Sequence, residues 1–252
     1  MKSKSSTLAK SEDGGFVEPA PIDVMLKGLE LRDDEEEDVV LDEDLEKIQE
    51  DARWLALAHV HTEKKSSHGS LFGNMRSAWN CAQEVEFRAL ENNLFSIQFH
   101  YLGDWERVMQ EGPWIFRGCH VLIGEYDGWA EPETVVLNTY PVWVQVHDPK
   151  EKMRTSSIAM HFASLAGKVI KLDEALVKGH GKGVKVRVLM DVHKPLTRCT
   201  GLTVRKMKQY YRLMYEKLLV FCGVCRLVGH VTKEHADGVH APDAIKYPLP
   251  LR

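Results

Sequence analysis

The chain has 252 residues, of which 44% are hydrophobic and 28% charged, which suffices for one large or two small domains with packed cores. No apolar run approaches the roughly 20 residues needed to cross a bilayer, and the first ten residues lack the hydrophobic stretch of a signal peptide. We therefore expect an intracellular protein of the nucleus or cytoplasm, without a membrane partner, whose five cysteines are reduced thiols or metal ligands.

The net charge of −4 is unevenly distributed. Residues 1–51 contain 6 Lys/Arg and 17 Asp/Glu, a net charge of −11, and we predict that they form a disordered acidic tail. Residues 178–217 contain 11 Lys/Arg and 2 Asp/Glu, a net charge of +9. A basic body with an acidic tail is typical of a polyanion-binding surface, and lysine-rich strands that merely face water are the alternative.

Hydrophobic periodicity predicts a first folded domain over residues 52–127. Its order, βαββαβ, is that of the ferredoxin-like fold, which the RNA recognition motif shares, so the predicted fold class is α+β. The predicted elements are a strand at 54–60, a helix at 68–79, strands at 84–90 and 94–100, a short helix at 105–110 capped by Asp104, and a strand at 119–126.

This domain lacks the aromatic residues that RNA recognition motifs expose on their third strand. Phe95, Ile97 and Phe99 alternate along the strand and share the face that we expect to be buried. The opposite face carries Ser96 and Gln98. We therefore expect no base-stacking platform on this domain.

After a connection at 128–141, residues 142–218 are predicted to form a second, basic α+β unit. No internal repeat of fixed period stands out in the sequence. The predicted elements are strands at 142–146, 168–172 and 184–191, a helix at 156–166, and a hairpin of strands at 201–207 and 210–218.

The sharpest motif is Cys222-x2-Cys225-x4-His230-x4-His235, within a predicted zinc knuckle at 219–246. Two thiolates at this spacing lie on one tight turn, and two further ligands within ten residues can complete a tetrahedron around Zn²⁺. The segment has too few apolar residues for a core of its own, so metal binding and folding are expected to be one event.

The fourth ligand of this predicted zinc site has two candidates. His235 follows the spacing of the motif, and His240 lies five residues further on. Gly229 provides the backbone bend that so short a loop requires. Two buried cysteines beside two unrelated surface histidines are the alternative to a metal site.

Cations and aromatic rings are interleaved in the segment before the knuckle. Single-stranded nucleic acid needs cations for its phosphates and rings for base stacking, so we predict RNA or single-stranded DNA as the partner. We expect the basic hairpin region to bind phosphates and the knuckle to contact bases. In the alternative, the tyrosines pack inward and the lysines only face water. The candidate contact residues are Lys182, Lys185, Arg187, Arg205, Lys206, Lys208, Tyr210, Arg212, Phe221 and Arg226.

The sequence contains no motif typical of catalysis. A phosphate-binding glycine loop, Gly-x-Ser-x-Gly and His-Glu-x-x-His are all missing. His59 and His61 share one face of a strand without an evident carboxylate or cysteine partner, and we expect them to be ordinary exposed or hydrogen-bonded histidines. We therefore predict no catalytic residue, no enzymatic activity and no small-molecule substrate.

Several segments, taken in series, resemble one plant protein family. They are similar to proteins that carry domain of unknown function 4283 followed by a gag-like CCHC zinc knuckle, many of which derive from LINE-type retrotransposons. The resemblance implies zinc and nucleic-acid binding, with element RNA as the partner during ribonucleoprotein assembly. For the first domain we expect a structural or self-association role. The segments are 79–80, 93–99, 111–116, 142–147, 191–196, 215–218 and 221–225.

Two positions depart from the family pattern, which is Cys-x2-Cys-x4-His-x4-Cys. The last ligand position is His235, and the glycine usual after the second cysteine is Arg226. Imidazole ligates zinc, but one anionic ligand fewer weakens the site. The alternative function is therefore a non-catalytic protein-interaction module, or a decayed element fragment, with a structural or metal-free knuckle.

Overall fold

The computed structural model describes residues 53–147, 149–173, 183–218 and 220–245. The predicted acidic tail and Lys182 lie outside these ranges. Within them the chain forms three α-helices and two five-stranded antiparallel sheets, which confirms the predicted α+β class. Each of these helices is too short or too polar to cross a membrane.

The first sheet and two of the helices are formed by residues 55–125. The strand order is β2-β3-β1-β5-β4, with every neighbouring pair antiparallel. The elements are β1 (Leu55–Val60), α1 (His68–Trp79), β2 (Glu86–Ala89), β3 (Leu94–Gln98), α2 (Leu102–Gln110), β4 (Trp114–Phe116) and β5 (Cys119–Glu125).

The core of this first unit lies between the sheet and the helices. α1 buries Trp79 and the residues one and two turns before it, as its periodicity predicts. Phe95, Ile97 and Phe99 are at most 1% exposed and pack in the same cluster, so the prediction that they face the core is confirmed. Burial of each such side chain stabilises the fold by roughly 1.5–3 kcal/mol.

The second helix begins earlier than the sequence predicts. Its N-cap is Tyr101, and Asp104 lies inside its first turn. The Asp104 carboxylate accepts hydrogen bonds from the backbone N–H groups of Ala82 (2.7 Å) and Gln83 (3.2 Å) and pairs with Arg107. The prediction that Asp104 caps the helix was therefore wrong, because this carboxylate instead holds the loop that follows α1.

The second sheet has the same strand order as the first. If the five strands of each sheet are ranked 1 to 5 in chain order, both sheets have the spatial order 2-3-1-5-4. In both sheets a helix connects the strands of ranks 1 and 2. The helix that precedes rank 4 in the first unit has no counterpart at 192–198. The elements are β6 (Thr139–His147), α3 (Ser156–Ser164), β7 (Lys168–Leu172), β8 (Gly183–Asp191), β9 (Cys199–Val204) and β10 (Met207–Tyr215).

Each unit ends in a hairpin with a two-residue turn. Arg117 and Gly118 link β4 to β5, and Arg205 and Lys206 link β9 to β10, all with positive φ. Such φ values give the turn a twist that matches the paired strands. The second turn lies earlier than the predicted boundaries of 207 and 210, so the predicted hairpin register was wrong.

Besides the segment at 192–198, through Leu196, three parts of the molecule cover the buried face of the second sheet. One is α3, through Phe162, and another is β5 of the first unit, through Leu122. The third is the Cys–His segment (residues 220–245), whose Val228 is 4% exposed in the same cluster. The Cys–His segment therefore shares its apolar residues with the core of the second unit.

His120 is buried where the two units meet. It is 1% exposed, and its ring centroid lies 4.1 Å from that of Tyr140. Neither ring nitrogen hydrogen-bonds to a described residue. Burial, and secondly the proximity of His61, lowers the pKa of His120 to about 4, so the folded protein keeps this imidazole neutral at neutral pH.

We expect stability to fall as the pH drops from about 6.5 towards 4, because unfolded His120 takes up a proton in this window and folded His120 does not. The contribution of this group is at most about 3 kcal/mol. His120→Phe keeps the ring and removes the unpaired nitrogens, so urea unfolding should show a shallower dependence on pH between 7 and 5. If the stability of wild type and variant depends equally on pH, with both measured at the same metal concentration, this role of His120 is contradicted.

Candidate metal centre and basic sheet surface

The Cys–His segment folds into a short, tightly turned loop. Phe221 and Val228 form a single β-bridge, the Cys222 N–H donates to the Leu227 carbonyl (2.9 Å), and the Arg226 N–H donates to the Cys222 carbonyl (3.0 Å). These bonds place the two cysteines of the segment on one turn. Arg226 has a φ of 69°, which lies in the left-handed region. This conformation costs a residue with a side chain about 1–2 kcal/mol, whereas glycine adopts it without that cost.

The four predicted metal ligands converge at this turn. One donor atom from each of Cys222, Cys225, His230 and His235 lies within 4.8 Å of the others, and Cys225 Sγ is 3.3 Å from His230 Nε2. Burial raises the pKa of the Cys225 thiol, and a hydrogen bond with Cys222 adds to the rise. A cation within the cluster reverses this effect, because it stabilises the thiolates. The four residues can hold a metal ion.

The fourth position is occupied by His235. His240 lies outside the convergent group: its Nε2 is 3.0 Å from the Thr232 carbonyl oxygen, and its ring centroid is 5.4 Å from that of His235. The Thr232 hydroxyl in turn accepts a hydrogen bond from the Gly223 N–H (2.8 Å). His240 therefore supports the loop that carries the ligands.

We expect His235→Ala to lose the metal and His240→Ala to retain it. The first change removes one of four converging donors, and the second removes only a contact to the loop backbone. Mass spectrometry under non-denaturing conditions, after purification with added zinc, gives the number of ions per chain. One ion in His235→Ala and none in His240→Ala would reverse the assignment.

The Cys–His segment also contacts the first unit. A Cβ at Gly229, whose φ is +97°, would lie 2.6 Å from Cδ2 of His61. Beside this contact Lys64 and Glu234 form an ion pair, which lowers the pKa of Glu234. Burial lowers the pKa of His61, so this neutral ring is a packing surface for the segment. No convergent metal-binding group among the described residues includes His61 or His59.

Gly229→Ala should separate the Cys–His segment from the first unit. The added methyl group meets the His61 ring, and alanine in the left-handed region costs about 1–2 kcal/mol in addition. We expect a lower unfolding midpoint and faster hydrogen exchange at 229–235. Gly73→Ala is the matched control, because a Cβ there meets open space within α1 and should raise stability by up to about 1 kcal/mol. Equal midpoints for the two variants would contradict the contact.

Half of the predicted nucleic-acid contacts lie on one face of the second sheet. On β10, Lys208, Tyr210 and Arg212 are exposed while the residues between them turn inward. On β8, Lys185 and Arg187 alternate with buried valines and therefore point to the same outer side. Because β8, β6 and β10 are neighbours in the sheet, these five side chains share a surface, which we call the basic sheet surface.

The strand pairing adds residues that the sequence reasoning missed. Trp143 on β6 and Lys171 on β7 both lie opposite Arg187 and so share its side of the sheet. Tyr210 is 67% exposed, lies opposite Gly201, and has the Lys208 ammonium 5.1 Å from its ring centroid. The alternation of buried valines with these residues is the signal that could have revealed them.

Two cations of this surface bind groups of the protein itself. Arg187 donates to the carbonyl oxygens of Gln110 (2.8 Å) and Gly112 (3.4 Å), and burial lowers its pKa. Arg187 thereby ties the end of α2 to the second sheet. Lys185 forms an ion pair with Glu216. The exposed cations Lys206 and Lys208 lie at the β9–β10 hairpin.

The remaining predicted contacts lie at the hairpin turn and in the Cys–His segment. Arg205 and Lys206 form the exposed turn. Phe221 is partly buried against the core of the second unit, and the Arg226 carbonyl accepts a hydrogen bond from the Leu196 N–H (2.9 Å). Phe221 thus contributes to packing, and the Arg226 backbone links the Cys–His segment to the second unit.

Comparison with known protein families gives a match that covers the first unit. Residues 42–134 match the family model described as Domain of unknown function (DUF4283). The match spans the first sheet with both its helices and ends in the connection that follows, which confirms the resemblance to this family for that part of the chain. No curated protein matches the chain.

Proposed function

We propose that this chain is a non-enzymatic, zinc-containing protein that binds single-stranded RNA or DNA. The observation that carries the proposal is the convergence of two sulfur and two nitrogen donors in a chain that also bears a solvent-facing sheet of cations and rings. A gag-like role in ribonucleoprotein assembly, in the nucleus or cytoplasm, stays a prediction from the resemblance.

The metal that the cluster fits best is Zn²⁺, held by Cys222, Cys225, His230 and His235. Two thiolates and two imidazoles in a closed tetrahedral set are typical of structural zinc sites. All four positions are filled by protein, so the ion has no open position for a substrate and its role is to fix the loop. We assign the Cys–His segment to the zinc knuckles on this basis.

We assign the first unit to the ferredoxin-like fold. Its strands β2, β3, β1 and β5 have the order expected for βαββαβ, with β4 added at the edge. The face that RNA recognition motifs expose carries no aromatic residue on β3, so this unit does not supply the stacking platform.

The second sheet supplies the phosphate and base contacts instead. Lys206 and Lys208 are exposed near the hairpin turn, within reach of a backbone that follows β10. Tyr210 presents a ring that is held beside an ammonium group and faces solvent. Cations that track phosphates and a ring that stacks a base form the minimal site for an unpaired strand.

Lys206→Ala/Lys208→Ala should weaken binding to an unstructured RNA and make the dependence on salt shallower by about 1.4 in log–log slope, since each phosphate contact on a single strand contributes about 0.7. Fluorescence anisotropy between low and moderate salt measures both effects. Lys150→Ala/Lys152→Ala removes the same charge from an exposed segment elsewhere and should leave the slope unchanged. Equal effects of the two double variants would show a general charge effect without a site.

Tyr210→Ala should weaken the same RNA by about 1–3 kcal/mol, which is the usual contribution of one stacked base. Tyr210→Phe keeps the ring and should bind within twofold to threefold of wild type, on the order of the scatter expected for a neutral change. Zinc-loaded wild type that binds no RNA at any salt concentration would overturn the proposal and favour a protein-interaction module.

A further inference from the structure

We propose that the cleft between the first unit and the Cys–His segment binds one unpaired nucleotide of the nucleic-acid strand. This inference rests on the proposed function and adds a second contact region, distinct from the basic sheet surface. It assigns a ligand role to the loop at 62–66 and to the β4–β5 turn, which the sequence does not single out.

The cleft has two walls that are distant in sequence. Its volume is about 300 Å³, at the small end of the range for ligand pockets. That size suits one base with its sugar and excludes a duplex. The lining residues are Val60, Thr62, Lys64, Lys65, Ser66, Phe116, Arg117, Cys119, Val220, Gly229, Val231 and Glu234.

The charges in the cleft favour an anion. Its three cations are Lys64, Lys65 and Arg117, and its one acid is Glu234. Glu234 is already bonded to Lys64 and accepts a hydrogen bond from the Val231 N–H (3.0 Å). Lys65 and Arg117 are exposed and have no ion pair within the described ranges. Two cations are thus left to bind a phosphate group.

The loop that carries Lys65 is held in one conformation by Asn93. The Asn93 amide donates to the carbonyl oxygens of Thr62 (3.2 Å) and Lys64 (2.9 Å). Its side-chain oxygen accepts from the Ser66 N–H (2.9 Å). A loop fixed before binding loses little conformational entropy when a ligand arrives, which favours affinity.

The opposite cation is presented by the β4–β5 turn. Arg117 has a φ of 48° and precedes Gly118, so the tight turn projects this residue from the hairpin. Its guanidinium carbon lies 5.2 Å from the Phe116 ring centroid. Phe116 and Val60 form the buried floor of the cleft, and Val231, which is 38% exposed, gives it apolar surface that a base can contact.

The position of the cleft connects it to the metal cluster. Gly229 lines the cleft and directly precedes the ligand His230. A strand that contacts the Cys–His segment can therefore place its next nucleotide between Lys65 and Arg117. The first unit, which lacks an aromatic platform, takes part in binding through its loops.

The test compares the full zinc-loaded chain with Lys65→Ala/Arg117→Ala on an unstructured RNA of about 12 nucleotides, within the usual range of single-strand site sizes. We expect about tenfold weaker binding and a shallower salt dependence, with unchanged zinc content and unfolding midpoint. Lys150→Ala/Lys152→Ala, with the same loss of charge, should bind like wild type. A 4-thiouridine RNA should crosslink to residues 60–66 or 116–119.

Wild-type affinity for the cleft variant, with crosslinks confined to 199–215, would overturn this inference and leave the proposed function standing. Failure of wild type to bind any RNA would overturn both. Nucleoside monophosphate that binds wild type but not the variant, and blocks neither RNA binding nor crosslinking, would make the cleft a free-nucleotide site and contradict the strand contact. If the double variant misfolds, the crosslinking of wild type decides between these outcomes.

Discussion

The position of the Cys–His segment depends on interactions at both of its sides. Val228 is buried in the core of the second unit, and Gly229, the next residue, touches the His61 ring of the first. His230 follows immediately and belongs to the ligand cluster. Residues 228–230 thus connect the core of the second unit, the surface of the first unit and the ligand cluster. A Cβ at 229 would lie 2.6 Å from the His61 ring, so the Cys–His segment approaches the first unit closely at this residue.

The two sheets share a strand order but differ in how their core faces are covered. Both have ranks 2-3-1-5-4, but the first covers its core face with two helices and the second with one. Leu122 of β5 and Val228 complete the cover of the second sheet. Its opposite face keeps Lys208, Tyr210 and Arg212 in solvent. Under the proposed function, the second unit presents its open face to the strand while the first unit acts through loops.

Local patterns predicted a good part of the fold. The helix at 68–79 and the strand at 168–172 were placed at their observed ends. The apolar spacing of the helix is regular, and Asn80 ends it in the left-handed conformation. The turn at Arg205 and Lys206 was missed, because neither residue is typical of positive φ. β4 is only three residues long, too short to show a period.

The candidate site likewise combines features that local sequence patterns predict with features that they do not. The four ligands lie within fourteen residues of one another, so their spacing alone predicted a cluster that the fold brings together. The cleft joins Lys65 and Arg117 to residues beyond 219, and no local pattern carries a contact of that sequence separation. Arg187 shows the opposite case: an apparent phosphate ligand whose donors go to Gln110 and Gly112. Charge in a sequence predicts a basic region but not which of its cations face solvent.

Under the proposed function, metal and nucleic acid bind to one folded unit. The most direct measurement is the affinity of the full chain for single-stranded RNA, at several salt concentrations, before and after removal of zinc with a chelator. We expect affinity that falls steeply with salt in the zinc-loaded protein, is lower at every salt concentration after chelation, and recovers when zinc is restored. Affinity that is independent of both salt and zinc would contradict it.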